Sequence, residues 1–81
     1  MNFLCLLLKN WFLPTFFYSG DRSEPPHVHV EKGKHIAKFW LNPVRLQTSG
    51  KFRPQEIRRI QHLIEKHQND FLEAWNEYFR D

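Results

Sequence analysis

The apolar pattern of this chain changes period along its length, from unbroken runs to alternation and then to helical spacing. Phe3–Leu8 is a continuous apolar run, which predicts a strand buried on both faces or at an interface. Lys9-Asn10 predicts a turn. Trp11 to Ser19 is rich in aromatics, the composition strands favour. Pro14 lies inside that stretch and has no amide to donate, so it marks an edge, a bulge or a strand start, and the second strand is expected from near Thr15. Gly20 to Pro26 is a loop by composition.

Val28–Leu41 predicts a hairpin about Lys32-Gly33, with glycine supplying the positive φ. Pairing Val30 with His35 would set His29 against Ile36, Val28 against Ala37 and His27 against Lys38. One face would then hold Val28, Val30, Ala37, Phe39 and Leu41 as core, and the other His27, His29, Glu31, Lys34, Lys38 and Trp40. A slip of one residue would exchange the faces. Asn42-Pro43 predicts a turn and Val44–Gln47 a short further strand.

Beyond the Thr48–Arg53 loop, Pro54 suits the first position of a helix, although Arg53 has no short acceptor oxygen with which to cap it. Ile57, Ile60, Leu63, Ile64, His67, Phe71, Leu72, Trp75 and Phe79 recur at three and four, an apolar stripe made to face a sheet. The stripe fits one helix or two broken near Asn69-Asp70. Strands over about 3–47 followed by helix over about 54–79 predict an α+β fold in a single domain, residues 1–81. In it a small antiparallel sheet of about four strands is packed on one face by one or two C-terminal helices.

Composition narrows the partners. Thirteen aromatics in 81 residues argue for a packed globule, and a net charge of +3 is too small for a general polycation. The single cysteine, Cys5, cannot form an internal disulfide and reads as a buried small hydrophobe. No apolar run approaches the roughly 20 residues of a membrane span, and the first residues lack the pattern of a signal peptide. A cytoplasmic protein with no membrane association is expected, and the apolar N-terminal segment is a candidate homodimer contact.

The densest candidate chemistry is Pro25-Pro26-His27-Val28-His29-Val30-Glu31. Alternation along a strand places His27, His29 and Glu31 on one face. Two histidines and a carboxylate can hold zinc or iron. Two imidazoles can also serve as acid and base in one turnover, with Lys38 stabilising charge on a phosphoryl oxygen and Trp40 stacking a base. That trio would suit metal-free RNA cleavage, which calls for no cofactor. The same row can equally be a solvated sheet face or a contact surface. On the helix, Arg58, His62 and Lys66 form an i, i+4, i+8 stripe able to track phosphates, whereas Asp70, Glu73, Glu77 and Asp81 make the last stretch acidic.

Phe16-Phe17-Tyr18-Ser19, Glu24-Pro25-Pro26-His27-Val28-His29-Val30, Ala37-Lys38-Phe39-Trp40-Leu41 and Trp75-Asn76-Glu77-Tyr78-Phe79 together resemble a small bacterial family, domain of unknown function 4160, over roughly residues 11 to 79. The chain departs from that family's pattern at Arg53, where Ser or Thr is usual before the helix proline, and in Met1 to Leu8. The resemblance implies one half of a two-gene module similar to toxin–antitoxin systems, with a protein partner. It carries over no catalytic residue. The expectation is a component of such a module, and as the toxin it would act on RNA through His27, His29 and Lys38. The alternatives are a non-catalytic protein-interaction module and a metal-binding domain built on His27, His29 and Glu31.

Overall fold

The computed structural model describes residues 2–3 and 13–80. Most of the expected strand over Phe3–Leu8, the Lys9-Asn10 turn, Cys5 and Trp11 fall outside the described residues, as does any dimer contact through that segment. Five strands appear in chain order: β1 (Asn2–Phe3), β2 (Thr15–Phe17), β3 (His27–Lys32), β4 (His35–Leu41) and β5 (Val44–Thr48). Two helices follow, α1 (Pro54–Lys66) and α2 (Gln68–Tyr78). A short 3₁₀ turn, Ser19–Ser23, lies between β2 and β3. The sheet is an antiparallel meander in the order β1-β2-β3-β4-β5, so the fold is the expected α+β arrangement.

Pro14 ends at the start of β2 as its missing amide requires, and its carbonyl accepts the Glu31 amide at 3.0 Å. The β3–β4 register differs from the expected one by two residues. Val30 pairs with Ala37, Val28 with Phe39, His29 with Lys38 and His27 with Trp40. Lys32 pairs with His35, which leaves Gly33-Lys34 as a two-residue turn. Gly33 has φ +60° and Lys34 is not left-handed, the pattern of a II′ turn with glycine first. A tight turn wins because its twist matches that of the flanking strands. A shift of two keeps every side chain on its face. Val28, Val30, Ala37, Phe39 and Leu41 are accordingly all fully buried on one side.

That side is covered by the helices. Ile57, Ile60 and Ile64 of α1 and Phe71, Ala74 and Trp75 of α2 join the strand residues in one core with Phe17, Val44 and Phe52. Each large side chain sealed there is worth roughly 1.5–3 kcal/mol of transfer free energy. The helices divide at His67, whose amide still bonds back to Leu63 and Ile64, rather than at Asn69-Asp70. Gln68 donates from Nε2 to the Leu41 carbonyl at 2.6 Å, tying the start of α2 to the end of β4. Arg53 makes no side-chain cap, as its chemistry dictates. Its amide instead donates to the Glu56 carboxylate at 2.9 Å, the second half of a capping box.

Candidate functional site

The alternation of β3 sends His27 and His29 to the face away from the main core, as the sequence indicates. They are not solvated there. His27 is fully buried and His29 is 8% exposed. The 3₁₀ turn is responsible, because it folds Asp21 over the two rings. The turn is closed by the Asp21 amide on the Tyr18 carbonyl and the Glu24 amide on the Asp21 carbonyl. Asp21 returns the contact, its Oδ2 accepting the Tyr18 amide at 2.8 Å.

Asp21 Oδ2 lies 3.1 Å from His29 Nε2 and 3.1 Å from His27 Nε2. The first contact is a hydrogen bond. The second has the distance of an ion pair but not the direction of a hydrogen bond, so His27 Nε2 is buried with no hydrogen-bond partner among the described residues. The other nitrogen settles the tautomer. His27 Nδ1 is 2.8 Å from the Pro25 carbonyl, which can only accept, so Nδ1 carries the proton. In the neutral ring Nε2 is then a bare lone pair facing a carboxylate oxygen.

Aromatic rings hold the imidazoles in place. His27 is flanked by Trp40 at 5.6 Å, Trp75 at 5.1 Å and His29 at 5.2 Å between ring centroids. His29 stacks on Phe16 at 5.3 Å and meets Tyr18 edge-on at 4.7 Å. Phe16 reaches this face because it pairs with His29 across β2–β3.

The remaining sequence candidates divide. Lys38 stands opposite His29 rather than His27. Its Nζ is 2.5 Å from Glu24 Oε1 and 4.8 Å from the Trp40 ring centroid, so its charge is already matched. That ammonium hydrogen bond holds the Glu24 carboxyl below its ordinary range. Glu31 is half-buried and outside the histidine cluster; Asp21 supplies the carboxylate in its place. Trp40 is half-buried beside His27. Arg58, His62 and Lys66 are exposed on α1, across the sheet from Trp40, so these four do not make one continuous surface. Asp21 and Glu24 were not singled out from the sequence. The one available hint is that Asp21 is six residues from His27, in a loop whose return is stiffened by Pro25-Pro26.

The charges here are set by their surroundings. Burial pushes the Asp21 carboxyl up, but the Tyr18 amide and the two imidazoles together outweigh it and hold the carboxyl below its usual 3.8. Burial pushes His29 below its usual 6.5, more than the neighbouring Asp21 charge restores. A histidine whose folded pKa is depressed stabilises the fold fully above its unfolded value, and that contribution is lost as pH falls from about 6.5 through the folded pKa. The urea midpoint is therefore expected to drop between pH 7.5 and 5.5, and to drop less in His29→Gln. A midpoint that rises on acidification would contradict the enclosed site.

A family model described as Domain of unknown function (DUF4160) matches residues 14–76 of the chain. No curated protein and no solved structure matches it.

Proposed function

This chain belongs to the domain of unknown function 4160 family, and we propose that it serves in the cytoplasm as the non-catalytic binding component of a toxin–antitoxin-like protein pair. The pairing rests on the resemblance to one half of two-gene modules. The observation that carries the non-catalytic reading is the closure of His27. A general acid or base must reach the proton it moves, within about 3.2 Å or through one water. His27 is fully buried, with Nδ1 committed to the Pro25 carbonyl. An RNA backbone has no access to it, and Lys38 is already paired with Glu24.

What this face offers is a contact surface. Ile36 is 37% exposed, Arg45 is exposed and pairs with the half-buried Trp40, and Lys38 lies over the Trp40 ring. Trp and Arg are residue types that dominate protein–protein binding energy, and Ile36, four residues before Trp40 on the same strand face, extends the surface along β4. Charges on this face are balanced, by Glu24 against Lys38 and by Glu31 nearby, which suits a protein partner better than a polyphosphate. The partner would present apolar side chains along β4, one to Ile36 and one to Trp40, and a carboxylate to Arg45.

The test is a complex with the product of the adjacent gene. Trp40→Ala or Ile36→Glu is expected to weaken it by about 30-fold or more, the range of a central interface residue. Expression of the chain alone is expected to leave growth unaffected. Growth inhibition that His29→Gln abolishes would overturn this reading in favour of catalysis. RNA binding that falls steeply with salt and disappears in Arg58→Ala/Lys66→Ala would overturn it in favour of the α1 stripe.

A further inference from the structure

We propose that Asp21, His27 and His29 form a binding site for one divalent transition-metal ion, with zinc the best match, that fastens the 3₁₀ turn to strand β3. The donor atoms of the three side chains all lie within 4.8 Å of one another. Asp21 Oδ2 is 3.1 Å from each imidazole Nε2. Donors about 2.0–2.1 Å from a tetrahedral zinc ion are separated by roughly 3.3 Å, so the two Asp21 spacings already fit and binding would draw the two imidazole nitrogens together.

The decisive atom is His27 Nε2. It is buried, it has no hydrogen-bond partner among the described residues, and in the neutral ring the proton on Nδ1 leaves it a lone pair. A ring nitrogen 3.1 Å from a carboxylate oxygen calls for something positive between them, either a proton on Nε2 or a metal ion in its place. A metal ion there accepts electron density from both, and from His29 Nε2 once the proton that nitrogen donates to Asp21 has passed through solvent to Nδ1.

The surroundings are those of a metal ligand set. A ligating histidine generally donates its other ring nitrogen to a carbonyl or carboxylate, which fixes tautomer and orientation. His27 does so to the Pro25 carbonyl. Asp21 is oriented in turn by the Tyr18 amide, and His29 by Phe16 and Tyr18. Two nitrogens and one oxygen match zinc with a water in the fourth position, and also suit iron(II). The ion would join Asp21, on the 3₁₀ turn, to two residues of β3, and so hold the turn closed.

The experiment is titration of the full chain, stripped of metal by a chelator, with zinc alone and with cobalt(II) as a spectroscopic probe. One equivalent is expected to bind, with the visible absorption of cobalt in a tetrahedral nitrogen–oxygen site. Asp21→Asn and His29→Gln are each expected to weaken binding by about 100-fold or more, the upper end of what losing even an outer-shell partner costs. Circular dichroism of each variant is the control for folding. Glu31→Gln is expected to leave affinity unchanged. Failure of the wild-type chain to bind one equivalent would overturn the assignment. So would unchanged affinity in folded Asp21→Asn and His29→Gln, or weakening by Glu31→Gln equal to theirs. Binding of a protein partner is read separately, so loss of either result leaves the other standing.

Discussion

Phe17→Ala is expected to remove about 3–5 kcal/mol of stability, the cost of deleting a buried phenylalanine and leaving its cavity. Phe17 is fully buried and meets Trp75 at 5.1 Å, Tyr78 at 5.6 Å and Phe79 at 6.0 Å. No other strand residue in the described chain has this many ring contacts to the end of α2. Small domains hold only a few kcal/mol in reserve, so the variant stands near the limit of folding. The effect reaches the histidine site because Trp75 is also a wall of His27. A urea midpoint close to that of the unaltered chain would show that α2 is not docked through this ring.

Gly50→Ala is expected to be nearly as damaging, although it adds one methyl group. Gly50 has φ +58°, and a Cβ there would lie 1.9 Å from the Ile36 carbonyl oxygen. The left-handed backbone alone costs roughly 1–2 kcal/mol for an L-residue. Moving two backbones apart adds overpacking strain, for a total of roughly 2–5 kcal/mol. Gly33 is the internal control. Its φ is +60°, but a Cβ there meets nothing within 4 Å. Gly33→Ala should therefore show the backbone cost only. Equal losses of urea midpoint in the two variants would mean that the loop after β5 does not press against β4 at Ile36.

Much of the fold was legible in the sequence because its signals are periodic. Alternation through Val28–Val30 and Ala37–Leu41 identified the buried face, and the spacing of Ile57, Ile60, Ile64, Phe71 and Trp75 identified the helix stripe. The two-residue error in register did no harm to either, since faces repeat every two residues. It did change partners, setting Lys38 against His29 and Trp40 against His27. The helix break moved from Asn69-Asp70 to His67 because no proline or glycine marks it.

The site was less legible for a physical reason. Its carboxylate comes from a loop, where no period relates sequence position to direction. Glu31 shared a strand face with the histidines and looked like the natural third member, yet Asp21 reaches them by folding of the 3₁₀ turn. The same fold-over turned an apparently wet row of side chains into a buried one. Burial of a histidine on a strand depends on what lies above it, and that is a tertiary fact.

The sealed site depends most on the orientation of the His27 ring. The direct measurement is its tautomer, from long-range nitrogen–proton NMR correlations on the full chain at alkaline pH. The expected result is a proton on Nδ1, held by the Pro25 carbonyl, with Nε2 unprotonated and facing Asp21. A proton on Nε2, or rapid exchange between the two tautomers as in a solvated imidazole, would contradict the sealed site.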